Sequence, residues 1–157
     1  MSKNSKNKSR KYLKKQNNKT AKRKNSTAKF RNINHSHIVK VLLELLNMVK
    51  LYHWKTRSFA QHKATDELYS KLNDNIDAFV EVLLGKSESR INMVAKQIDL
   101  LDESNTTEFK QRIYEYRNFL TELDLYFDST KDTDLLNIRD EILADINQFL
   151  YLMTFDK

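Results

Sequence analysis

A chain of 157 residues with one Gly, no Pro and 39% hydrophobic residues can build one hydrophobic core, but it is too poor in turn formers for a β architecture, so an all-α fold is expected. The absence of Cys excludes disulfides, thiolate metal sites and cysteine nucleophiles, and no apolar run approaches the roughly 18–20 residues that span a bilayer. The net charge of +7 hides two parts of opposite sign: residues 1–32 hold thirteen Lys or Arg and no Asp or Glu, leaving fifteen basic against 21 acidic residues, a charge of −6, for the remainder.

The basic segment contains Lys3, Lys6, Lys8, Arg10, Lys11, Lys14, Lys15, Lys19, Lys22, Arg23, Lys24, Lys29 and Arg31, with Tyr12, Leu13 and Phe30 almost its only large apolar residues. Burial cannot offset its ordering entropy, so residues 1–34 are expected to be a disordered basic tail and 35–157 a helical domain. Such arms neutralise phosphates through counterion release, which makes DNA or RNA, bound without sequence preference, the expected partner. A localisation signal, an anionic-membrane contact or a solubilising tail would have the same composition. A lysine-rich polar start is unlike a signal peptide, so the protein is expected to be soluble and intracellular, associated with a nucleoid, nucleus or viral genome. Heavy use of Lys, Asn and Ile fits an AT-rich source, of which large DNA viruses are one kind.

From about Ser36 the pattern becomes helical. Ile38, Leu42, Leu45, Val49 and Tyr52 form one apolar face and Val39, Leu43 and Leu46 a second, so this helix is expected to pack on two sides, one of them against another subunit. His53 and Trp54 end it, and Lys55–Ser58 is the expected turn. The next helix is expected over Phe59–Leu84, with Leu68, Leu72, Ile76, Phe79 and Leu83 facing inward and Gly85 as C-cap. Residues 86–104 form a long connection, expected to hold a short helix near Arg90–Lys96 and to be packed down by Ile98, Leu100 and Leu101. A third helix starts at Asn105–Thr107 and points Phe109, Ile113, Tyr116, Leu120, Leu123 and Phe127 inward; a fourth starts near Asp132 and does so through Leu135, Ile138, Ile142, Ile146, Phe149 and Met153.

Beside the core face of the second helix lies a stripe of ionisable residues. His62 and Asp66 are one turn apart, as are Asp77 and Glu81. Asp66 and Asp77 are separated by roughly 16 Å along one helix and cannot share an ion. Both pairings, His62 with Glu81 and Asp66 with Asp77, are symmetric about a point between residues 71 and 72. An antiparallel copy of the helix would therefore level each pair, giving two clusters that each draw on both chains. Such an N and O donor set suits Fe(II), Mn(II) or Zn(II) better than Ca(II). His53, on an apolar side of its helix where an unpartnered imidazole is costly, is the candidate fifth ligand. The alternative is a satisfied core histidine and a solvated polar face.

The order His53-Trp54, Phe59, His62, Asp66, Asp77, Glu81, with spacings of four, eleven and four among the last four, resembles the Dps family of mini-ferritins, bacterial DNA-protection proteins. A weaker resemblance extends over residues 36–155, including the closing DTDLLNIRDEILADINQFLYLM. It implies a ferritin-like four-helix bundle with a short helix between the second and third long helices, assembled as dimers within a hollow dodecamer. It also implies oxidation and storage of iron, with peroxide as the preferred oxidant, as a defence against oxidative damage to DNA. His53, His62 and Asp66 would then be metal ligands from one subunit and Asp77 and Glu81 from its mate, with Trp54 nearby; no protein group beyond the ligands would be catalytic. This chain has eight residues rather than eleven between His53 and His62, no Gly in that turn, and Val82 where the family has Arg. The shorter turn makes His53 the position to which the pattern transfers least directly.

Two functions follow as expectations. One is a ferroxidase held on nucleic acid by its tail. The other is a non-enzymatic packaging protein that uses the bundle to assemble and to display many tails, which bind tightly through avidity. A bundle whose stripe only makes polar dimer contacts is a third possibility.

Overall fold

A computed structural model describes residues 34–94, 97–103 and 105–155, and these form four long helices with no strand among them. The basic tail, with the residues expected to contact nucleic acid, lies outside the described residues apart from Asn34. Helix α1 spans His35–Lys55, α2 Phe59–Lys86, α3 Thr106–Glu122 and α4 Thr133–Leu152, with a 3-10 turn at Leu123–Leu125. None of the described helices is long and apolar enough to cross a membrane.

The helix starts are fixed by local chemistry. Asn34, Ser58 and Asn105 accept hydrogen bonds from the backbone N–H groups of His37, Gln61 and Thr107, satisfying donors that the first helical turn leaves open. The expected C-cap at Gly85 does not occur. Helix α2 runs through Gly85 to Lys86 and closes in a Schellman motif, in which Glu88 N–H bonds the Gly85 carbonyl and Ser89 N–H the Leu84 carbonyl, each at 3.2 Å. The left-handed residue there is Glu88, at φ 47°. Beyond it, Lys86 reaches the Lys131 carbonyl, Asp132 and Asp134, tying the end of α2 to the start of α4. The Lys86 ammonium holds the Asp134 carboxyl below its usual range.

These contacts set the topology. Tyr52, near the end of α1, bonds Thr106 at the start of α3, 2.8 Å away, so α3 begins at the end of the bundle where α1 finishes. The chain therefore runs up, down, down, up, and the segment from Ser87 to Asn105 climbs the full height of the bundle. It is pinned along α1 by Val94 N–H on Ser36 Oγ at 2.9 Å, by Asp99 N–H on Glu44 at 3.0 Å, and by the Lys55–Asp102 ion pair. Two expectations for this crossover fail. Arg90–Val94 is not helical, while Ala95 and Lys96 lie outside the described residues. Ile98 and Leu100 are exposed and only Leu101 of the three is half-buried; polar contacts to Ser36, Lys40 and Glu44 hold the rest of the segment.

The core is otherwise the one read from periodicity. Ile38, Leu42, Leu45 and Val49 are buried on α1 and Leu68, Leu72, Ile76 and Phe79 on α2, which packs against it, and Phe109, Ile113 and Leu120 on α3 and Ile142, Ile146 and Phe149 on α4, which packs against α3. Ile138 is only half-buried. At the upper end Phe109 stacks on Tyr52, with centroids 3.8 Å apart, and receives the edge of Phe149 at 5.9 Å. At the lower end the buried Arg139 guanidinium donates to the Leu120 carbonyl, Asp124 and Asp140, holding α4 to the end of α3. Of the second apolar row on α1, Val39 is buried and Leu43 and Leu46 are half-buried within the single chain.

Candidate metal centre

The site forms where α1 ends and α2 begins. Only Thr56, Arg57 and Ser58 separate the two helices, so the chain reverses tightly and sets the last turn of α1 against the first turns of α2. This brings His53 and His62 face to face, with ring centroids 3.9 Å apart and planes inclined by 23°. The shortened turn thus keeps His53 beside His62.

Each ring binds the backbone of the other. His53 Nδ1 lies 3.1 Å from the His62 carbonyl oxygen, and His62 Nδ1 lies 3.1 Å from the His53 carbonyl oxygen. A carbonyl can only accept, so both contacts require Nδ1 to carry a proton, and in the neutral ring that leaves Nε2 with a free lone pair. His62 thereby satisfies a carbonyl in the last turn of α1, one of the groups a helix end leaves without an intrahelical partner. His53 is 7% exposed, while His62 is open to solvent. His53 Nε2 stands 3.9 Å from Asp66 Oδ1, so His53 lies against two of the other sequence-predicted ligands, His62 and Asp66.

Asp77 and Glu81 continue the stripe down α2, exposed, and no hydrogen bond or ion pair engages either side chain among the described residues. They lie about four and five turns from His62 along the same helix and do not join the upper group. Among the described residues of a single chain, no three His, Asp or Glu side chains make one metal-holding group. Trp54 is next to the site and 68% exposed.

Sequence reasoning missed the polar layer beneath the histidines. Along the inward face of α2 the series Gln61, Thr65, Leu68, Leu72 begins with two polar residues, both buried. That break in an apolar series was the available signal. Thr65 Oγ1 lies 3.3 Å from His53 Nδ1, and Gln61 Oε1 accepts from the Tyr52 and Thr56 hydroxyls at 2.7 and 2.6 Å. Lys50 was also missed; its ammonium sits 4.3 Å from the Tyr69 ring centroid and 5.6 Å from that of Trp54, a cation held over two aromatic faces beside the stripe.

No curated protein and no solved structure matches the chain. Residues 53–153 match the profile of DUF5856, described as a family of unknown function, and this span opens at His53 and takes in all five candidate ligands. Because the match covers more than half of the chain, the protein belongs to the DUF5856 family.

Proposed function

We propose that the protein is a mini-ferritin-like ferroxidase held on nucleic acid by its basic tail. The crossed imidazole pair carries this reading: two Nδ1–H groups spent on carbonyls leave both Nε2 lone pairs free, that of His53 3.9 Å from Asp66. In metal-ligating histidines the second ring nitrogen is fixed by a hydrogen bond of this kind. Imidazole with carboxylate is a donor set for Fe(II), Mn(II) or Zn(II), so the residues fit a transition metal. The single long crossover of an up-down-down-up bundle, a connectivity known in ferritin-like folds, supports the same reading.

Ferrous iron is the substrate. Two Fe(II) ions give up one electron each; hydrogen peroxide takes both electrons and two protons, its O–O bond breaks, and two waters leave. His53, His62 and Asp66 of one chain would hold the ions with Asp77 and Glu81 of a second, and the carboxylates favour the ferric product electrostatically. The face is suited to an antiparallel copy of itself. Its upper part carries His62, Lys63 and Asp66 and its lower part Asp74, Asp77 and Glu81, so that a bound cation would neutralise the facing carboxylates, while half-buried Leu43 and Leu46 on α1 add apolar area. Assembly of such dimers into a hollow shell extends the reading to iron storage.

Peroxide-driven Fe(II) oxidation tests the chemistry. Asp77→Ala with Glu81→Ala alters two exposed side chains and is expected to reduce the rate to that of the uncatalysed reaction; a wild type no faster than this variant sinks the ferroxidase. Removing residues 1–32 tests the tail. The full chain is expected to lose DNA affinity about a thousandfold or more between about 50 and 200 mM salt, and the truncated chain to bind no DNA while still oxidising iron. Full DNA affinity after truncation would remove the tail from the proposal. DNA binding by the full chain without iron oxidation would leave the packaging protein.

A further inference from the structure

The polar layer under the imidazoles gives one buried residue a role that the ligand pattern does not include. Thr65 is fully buried, and its hydroxyl stands among more hydrogen-bonding groups than one proton can serve. Oγ1 lies 2.8 Å from the Gln61 carbonyl, 3.1 Å from the His62 carbonyl and 3.3 Å from His53 Nδ1. The His62 carbonyl is crowded as well. It has two lone pairs, and the helical N–H of Asp66, His53 Nδ1–H and the Thr65 hydroxyl all approach it. The conflict resolves when Thr65 spends its proton on the nearer Gln61 carbonyl and turns a lone pair to His53. His53 Nδ1–H is then shared between Thr65 Oγ1 and the His62 carbonyl.

We infer that Thr65 is a positioning residue: its hydroxyl holds His53 in the Nδ1–H form, keeping the Nε2 lone pair available beside Asp66 for a divalent transition metal. The metal part rests on the ferroxidase reading, whereas the proton placement does not. Thr65 touches no substrate; it acts through the ring. Without the hydroxyl, His53 Nδ1–H loses one of its two acceptors and keeps only the His62 carbonyl, which it shares with the Asp66 N–H, and the tautomer with the proton on Nε2, facing the Asp66 carboxylate 3.9 Å away, gains population.

The test uses the full chain labelled with 15N-histidine and studied without metal by magic-angle-spinning NMR, which accommodates an assembly of any size, at about pH 8 where an ordinary imidazole is neutral. The wild type is expected to give His53 and His62 protonated at Nδ1. Thr65→Val, which keeps the side-chain shape, is expected to shift His53 toward the Nε2–H form, and Thr65→Ser to restore the wild-type spectrum. In parallel, titration with Co2+ alone is expected to show about tenfold weaker binding by Thr65→Val at unchanged helix content, with recovery in Thr65→Ser. Wild-type His53 protonated at Nε2 overturns the inference, even should the Val variant fail to fold. So does a folded Thr65→Val chain with an unchanged His53 signal. If the tautomer responds as expected but the wild type binds no Co2+, the metal reading falls while the hold of Thr65 on the ring stands.

Discussion

Co-expressing His62→Ala/Asp66→Ala protein with Asp77→Ala/Glu81→Ala protein is expected to restore Fe(II) oxidation that neither variant shows alone. In the mixed dimer one cluster combines all four altered positions and the other keeps all four native ligands. Random pairing makes about half of the dimers mixed, each with one of two sites intact, so about a quarter of wild-type activity should return. The basis is the distance along α2: His62 and Asp66 form the upper group with His53, while Asp77 and Glu81 stand exposed and unengaged further down the same face. The measurement is peroxide-driven oxidation by the purified mixture, against each variant purified alone. Two inactive variants that stay inactive when co-expressed would mean that each site takes its ligands from one chain, and the symmetric dimer would have to be given up.

The largest loss of stability from one substitution is expected at Phe109. Its ring is fully buried, stacked on Tyr52 and met edge-on by Phe149, so it joins α3 to both α1 and α4 directly below the site. Phe109→Ala is expected to cost about 3–5 kcal/mol, from lost transfer free energy and a cavity that stiff neighbouring helices fill only in part. Because Tyr52 also bonds Gln61 and Thr106, the damage should spread to the polar layer beneath the imidazoles. Urea unfolding followed by circular dichroism measures it. Tyr151→Ala, at an exposed aromatic on α4, is the control and should change stability by about 0.5 kcal/mol or less. Equal midpoints for the two variants would contradict the packing described.

What was legible in the sequence had a local cause. Asn105 sits where a short polar side chain can bond the N–H groups of the next turn, so the start of α3 could be placed closely; Asn34 and Ser58 cap α1 and α2 in the same way. The inward faces followed from a 3.6-residue period. The stripe was legible for the same reason, since spacings of four put His62 with Asp66 and Asp77 with Glu81 on one face wherever the chain is helical.

What was not legible depended on partners distant in sequence or on competition between nearby groups. Gly85 looked like a helix stop, but nothing ended the helix there, and the left-handed position fell on Glu88 two residues beyond the last helical turn. Ile98 and Leu100 looked like packing residues, but Glu44 and Lys40 hold Asp99 between them, and the crossover is fixed with Ile98 and Leu100 outward.

The sequence by itself therefore determined four amphipathic helices, the charge division between tail and domain, and a row of ligand-type residues along α2, because each depends on neighbours within a few positions of one chain. Only the tertiary structure decided that three residues between α1 and α2 suffice to press His53 against His62, and that each ring gives its Nδ1 proton to the other's backbone. The placement of those protons needs carbonyls from two helices at hydrogen-bond distance. A spacing rule along one helix carries no information about that.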